Sequence, residues 1–193
     1  MKKILFASKI ILGTGILVCS LNSCKQEPKA EDPKEVAEDQ NEAKFETDSI
    51  EDDADYLVDA AEIDKIEIEL GKLAQQKGVS QSVKNYGKML VDDHTKSLGE
   101  VTALAKTKNV SLPVALTEEG QKKYDKLNEK SGVDFDKEFA DLMVDGHEKA
   151  VDKITKISEK ASDKALEVWA SSKVSVLTAH LEKAKKLKKE VDK

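Results

Sequence analysis

The chain has 193 residues with 38 acidic and 32 basic side chains, a formal net charge of −6, and every basic residue is a lysine. A hydrophobic share of 39% supports a core, but 4% aromatics, nine glycines and three prolines are poor material for a β-sandwich or barrel. An acidic chain without one guanidinium is equally unsuited to reading phosphates and bases, so nucleic acid is not an expected partner.

In chain order, residues 1–23 read as a secretory leader. Met1, Lys2 and Lys3 give its positive end, with Lys9 close behind. Residues 10–21 form an apolar stretch too short for a membrane span of about 20 residues. It runs into Leu21, Asn22, Ser23 and Cys24, a quartet that resembles the bacterial lipobox. The resemblance implies cleavage after Ser23 and diacylglycerol on the Cys24 sulfur, with palmitate among the acyl chains. Cys19 falls in the leader, so the mature chain keeps Cys24 alone and has no pair for a disulfide.

Residues 25–55 carry 13 acids against four lysines, a net of −9, and two of the three prolines. Apolar residues there are sparse and without sustained period. Residues 24–54 are therefore expected to be the lipidated cysteine and a disordered acidic tether. Acidic runs beside the acylated cysteine resemble those that direct some lipoproteins to the cell surface, and Lys25 replaces the aspartate associated with inner-membrane retention. The expected location is the cell envelope, with the lipid in the outer membrane.

Residues 55–193 form the expected folded domain, all-α, because the apolar period is helical from Tyr56 onward. The first helix covers about 56–77, with Ile63, Ile66, Leu70 and Leu73 on one face; Gly78 closes it and Ser80 caps the next. The second runs over about 81–108. Leu112 and Pro113 interrupt, and Thr117 opens a short helix to about 130. A long helix follows over about 133–160, and Ser162 and Asp163 start the last, to about 190. Four amphipathic helices in two tightly joined pairs define an up-down four-helix bundle with an extra short helix in the middle connection. Met89 to Lys96 also lines up with Leu142 to Lys149 at an offset of 53, sharing Val-Asp-x-His-x-Lys, which reads as a duplicated hairpin.

These runs carry a resemblance to a known family. Ala61 and Glu62, Glu67 to Ala74, Met89 to His94, Val110 to Pro113, Ser131 to Asp136, Met143 to Lys149 and His180 to Lys183 are similar to the exported bacterial "domain of unknown function 4142" family. The resemblance covers about residues 54–188 and implies a ferritin-like fold without an assigned activity. Val174 and Ser175 stand where that family usually has a Leu-Pro pair.

His94, His147 and His180 are the only histidines, and each falls on a different long helix. Glu67 is the polar residue nearest the apolar stripe of the first. At 1.5 Å per residue, Glu67, His94, His147 and His180 stand roughly 18, 22, 21 and 28 Å from their hairpin turns, all near mid-height. One carboxylate and up to three imidazoles meet there, with Asp92, Asp93, Asp145 and Glu148 as supporting or alternative ligands. Such donors suit zinc, iron, manganese or copper. A di-iron site is not expected, because Val91, Val144 and Leu177 stand where a Glu-x-x-His motif needs glutamate. The competing reading has neutral histidines hydrogen-bonded across helices and fixing their register, in a structural module that docks another envelope protein. Lys173, in the last stripe, is expected to pack its stem and reach a carboxylate. Neither a nucleophile–base pair nor a Gly-rich phosphate loop is legible, so an enzyme is the weaker expectation.

Overall fold

A computed structural model describes residues 30–193; the expected leader and Cys24 lie outside the described residues. Among the described residues are six helices and no strand: α1 (Pro33–Glu42), α2 (Asp48–Lys77), α3 (Gln81–Lys108), α4 (Glu118–Asn128), α5 (Gly132–Lys160) and α6 (Lys164–Val191). None is long and apolar enough to cross a membrane.

Two hairpins, α2–α3 and α5–α6, make the body. Gly78 ends α2 in an extended conformation, and the Ser80 hydroxyl accepts from the Val83 N–H to start α3. Between these helices Gly71 faces Gly87. A Cβ on Gly71 would lie 2.7 Å from the Gly87 carbonyl oxygen, and one on Gly87 equally close to that of Gly71, so only glycine permits this approach. In the second hairpin Ala161 ends α5 and the Asp163 carboxylate accepts from the Ala165 and Leu166 N–H groups.

Two carboxylates join the hairpins reciprocally. Asp136, at the start of α5, accepts from the Val79 and Ser80 N–H groups in the α2–α3 turn at 2.9 and 2.8 Å. Asp53, at the start of α2, accepts from Ser162 and Asp163 in the α5–α6 turn at the same distances. Hence α5 is antiparallel to α2, and Ser82 beside Glu190 sets α6 antiparallel to α3. The second hairpin is therefore inverted, and residues 109–131, including α4, return the chain along the length of the first.

An offset of 83 relates the hairpins. Adding it to α3 gives α6 end for end, adding it to α2 gives α5 within one residue, and it carries the Asp53 clasp onto the Asp136 clasp. The duplicated hairpin read at an offset of 53 is thus corrected. That offset pairs the second helix of one hairpin with the first of the other. Their patterns agree because α3 and α5 run in the same direction through the same layers of the molecule.

The core is in two parts. Toward the α2–α3 turn, Leu70, Leu73, Val83, Tyr86, Leu90, Phe135, Phe139 and Met143 pack together. Toward the α5–α6 turn, Leu57, Ala61, Val101, Ile154, Ile157, Leu166 and Trp169 do so. Each long helix passes through both clusters, and the residues between them are polar.

The expected tether is also corrected from residue 32 onward. Asp32 caps α1 and reaches the Glu118 N–H at the start of α4. Lys34 binds Asp59 at 2.6 Å and Glu62 at 3.0 Å on α2. Asn41, fully buried, donates to the Ser111 carbonyl and accepts from the Ser111 N–H. These are polar anchors, so apolar periodicity carried no sign of them. For the same reason α2 begins at 48 rather than 56: an acidic first turn precedes Ala54, Leu57 and Val58, all buried.

Candidate metal centre

The polar layer between the two core clusters contains Asp64 and Glu67 of α2, His94 and Ser97 of α3, His147 of α5 and His180 of α6, all buried. The ring centroids of the three histidines lie 5.4–5.9 Å apart, nearly an equilateral triangle. One nitrogen from each ring lies within 4.8 Å of the other two.

The outer nitrogens are all held. His94 Nδ1 faces Asp64 Oδ1 at 2.8 Å, His180 Nε2 faces Asp93 Oδ2 at 2.9 Å, and His147 Nδ1 faces the Met143 carbonyl at 2.9 Å. Carboxylate and carbonyl oxygens accept only, so each of these nitrogens carries the proton and donates. The other nitrogens, His94 Nε2, His147 Nε2 and His180 Nδ1, are buried without a hydrogen-bond partner. In neutral rings they are bare lone pairs, and too far apart to share a proton. Orientation by an acceptor on the far side is the arrangement that fixes the tautomer of metal-ligating histidines.

Electrostatics keep this set ready for a cation. Burial pushes His180 down to about 4, against the Asp93 hydrogen bond, and burial also lowers His147. Both are neutral ligands at neutral pH. At His94 burial pulls downward, but the Asp64 hydrogen bond and the charges of Glu67, Asp64 and Asp93 raise its pKa overall. The same carboxylates that favour positive charge on this ring favour a metal ion beside it.

Of the residues singled out from sequence, the structure brings His94, His147 and His180 together, and His147 is fully buried. Glu67 stands beside the triad, with Oε1 3.9 Å from His147 Nδ1 and Oε2 buried without a partner. Gly146 of α5 gives it room, since a Cβ there would lie 3.1 Å from Oε1. Asp93 accepts from His180 Nε2. Asp92 binds Lys88, Glu148 binds Lys185, and Asp145 is exposed, so these three stand outside the site. Lys173 reaches Glu100 at 2.5 Å, as its place in the stripe predicts. Asp64 was missed, although it and His94 are each 15 residues from residue 79, opposite one another across a hairpin. No side-chain signal could have indicated the Met143 carbonyl.

An all-helical domain with a buried three-histidine cluster is the class of protein these features define. The chain belongs to the family described as Domain of unknown function (DUF4142), which matches residues 35–187 and so takes in α1 from its third residue. No curated protein and no solved structure matches it.

Proposed function

We propose that the protein is a ferritin-like four-helix bundle that holds one transition-metal ion between His94, His147 and His180, carried on the cell envelope by lipid on Cys24. One observation supports the metal most: three buried imidazole nitrogens converge without partners while the opposite nitrogen of each ring is engaged. The inverted hairpins with one long crossover support the ferritin-like reading. Three imidazole donors favour zinc, copper, iron or manganese over calcium or magnesium. Glu67 and Asp64, each with a buried oxygen that has no partner, are further oxygen donors in the layer, and the envelope location rests on the lipobox-like quartet at 21–24.

The test is metal analysis of the untagged protein, then thermal melts of metal-free protein with zinc, copper, iron and manganese. A bound ion stabilises by about 2.7 kcal/mol at a hundred times its Kd. Each histidine-to-alanine variant loses that gain, and Glu67→Gln weakens it. The structural reading is favoured by the His94–Asp64 and His180–Asp93 bonds, which tie α3 to α2 and α6 to α3. It requires instead that each alanine variant cost about 1–3 kcal/mol and that no metal shift any melt. A module of that kind docks an envelope protein.

A further inference from the structure

Beside the triad, between α3 and α6, lies a cavity of about 30 Å³. Its walls include the His94 and His180 rings together with Asp64 and Ser97, and its far side is apolar, with Ala60 and Ile154. His147 is not among its lining residues. The interior is buried, Ala60 and His180 each being 2% exposed, whereas Val176 at the rim is 40% exposed and the Asp93 side chain is about half exposed. A cavity needs about 10–15 Å³ to hold one water, so this one has room for a molecule of two or three heavy atoms.

The position is what matters. Three imidazoles provide three ligands, and a four-coordinate ion that is not structural keeps its last place for a small molecule. This cavity, open at the Val176 rim, is bordered by two of the three ligating rings. Two flanking residues close the seam between α3 and α6 beyond it: Lys173 pairs with Glu100 at 2.5 Å, and the Trp169 indole N–H donates to the same carboxylate at 3.2 Å. Both Lys173 and Trp169 also line the cavity. The space is thus framed by an ion pair and an indole, and is not a gap between loosely packed helices.

We propose that this cavity is the site of an exogenous ligand to the metal, a lone-pair donor of two or three heavy atoms bound at the position the histidines leave open. The inference rests on the metal reading above. The small volume favours small ligands, and the Ser97 hydroxyl offers a donor to the ligand's free end.

Full-length protein loaded with cobalt(II) tests it, because the visible spectrum reports both the metal and its fourth ligand. Azide, a linear three-atom anion, is the probe, with imidazole as a ligand too large for the space. The expected result is a saturable change in the cobalt bands with azide and none with imidazole. Ala60→Leu fills the cavity from within and Val176→Phe covers the exposed rim without touching the core; each is expected to bind cobalt and to weaken azide about tenfold or more. A cobalt spectrum that azide leaves unchanged overturns the proposal while the metal reading stands. So does an equal response in wild type and in whichever variant folds, or a response to imidazole matching that to azide. Absence of any imidazole-ligated cobalt spectrum removes the metal reading and this inference with it.

Discussion

Asn41→Ala isolates the docking of α1, because that side chain bonds only to the backbone of Ser111, across 70 residues of sequence. The substitution deletes two hydrogen bonds of 3.0 and 2.7 Å and leaves the Ser111 carbonyl and N–H without partners. An orphaned buried group costs about 1–3 kcal/mol. Ser111 is half-buried, so water recovers part of the loss, and the expected total is about 1–3 kcal/mol. A domain of this size shifts about 2–4 °C per kcal/mol, which puts the fall in Tm at about 2–12 °C. Circular dichroism melts measure the shift, and amide exchange at Ser111 localises it, slow in the parent and fast in the variant. Asn41→Asp sets a second acceptor against the Ser111 carbonyl and buries a charge, so at neutral pH it should cost at least as much as Asn41→Ala. An unchanged Tm with fast Ser111 exchange already in the parent would return residues 32–44 to a free tether and refute the reasoning.

Gly71→Ala drives a methyl against the Gly87 carbonyl, which is backbone and cannot swing aside; a loss of about 1–3 kcal/mol in urea unfolding is expected, and none would mean the helices separate at no cost. The Lys34 contacts give a pH signature. Burial pushes the Asp59 carboxyl upward, but its hydrogen bonds and charge attraction to Lys34 and Lys153 prevail and hold it below the ordinary aspartate value of 3.8. A depressed folded-state pKa stabilises above the unfolded value and is lost as pH falls through the folded one. The destabilisation caused by Lys34→Met should therefore be full above pH 3.8 and shrink as pH falls further, through the depressed Asp59 pKa; a penalty that does not shrink with acidification would assign it to packing of the stem. Cys24→Ser should leave unlipidated precursor, and normal maturation with membrane fractionation of that variant would sink the lipoprotein reading, since stable anchoring takes two or more acyl chains.

The long helices were legible because each buries a stripe. Ser80 and Thr117 marked helix starts by capping chemistry that the structure repeats, with the Thr117 hydroxyl accepting from the Gly120 N–H. Three histidines at similar height were legible from spacing alone. What stayed hidden depends on partners distant in sequence: α1 is held by Lys34 and Asn41, whose contacts lie on α2 and at Ser111. The inversion of the second hairpin was likewise hidden, since helix period is blind to direction and contacts between the hairpins, such as those of Asp53 and Asp136, reveal it. Asp64 reads as another charge on an acidic helix until its opposite number across the turn is considered.

The offset of 83 relates backbones but not ligands. It carries Asp64 onto His147, His94 onto Leu177 and Ser97 onto His180. Two identical hairpins associating about a twofold axis supply off-axis side chains in pairs, two or four at a time. An odd set of three imidazoles, two braced by aspartates and one by a backbone carbonyl, is out of reach for such an assembly. Covalent linkage through residues 109–131 lets the two halves differ at the very layer where they meet, and the price of that freedom is a crossover that itself needs α1 and α4 to hold it down.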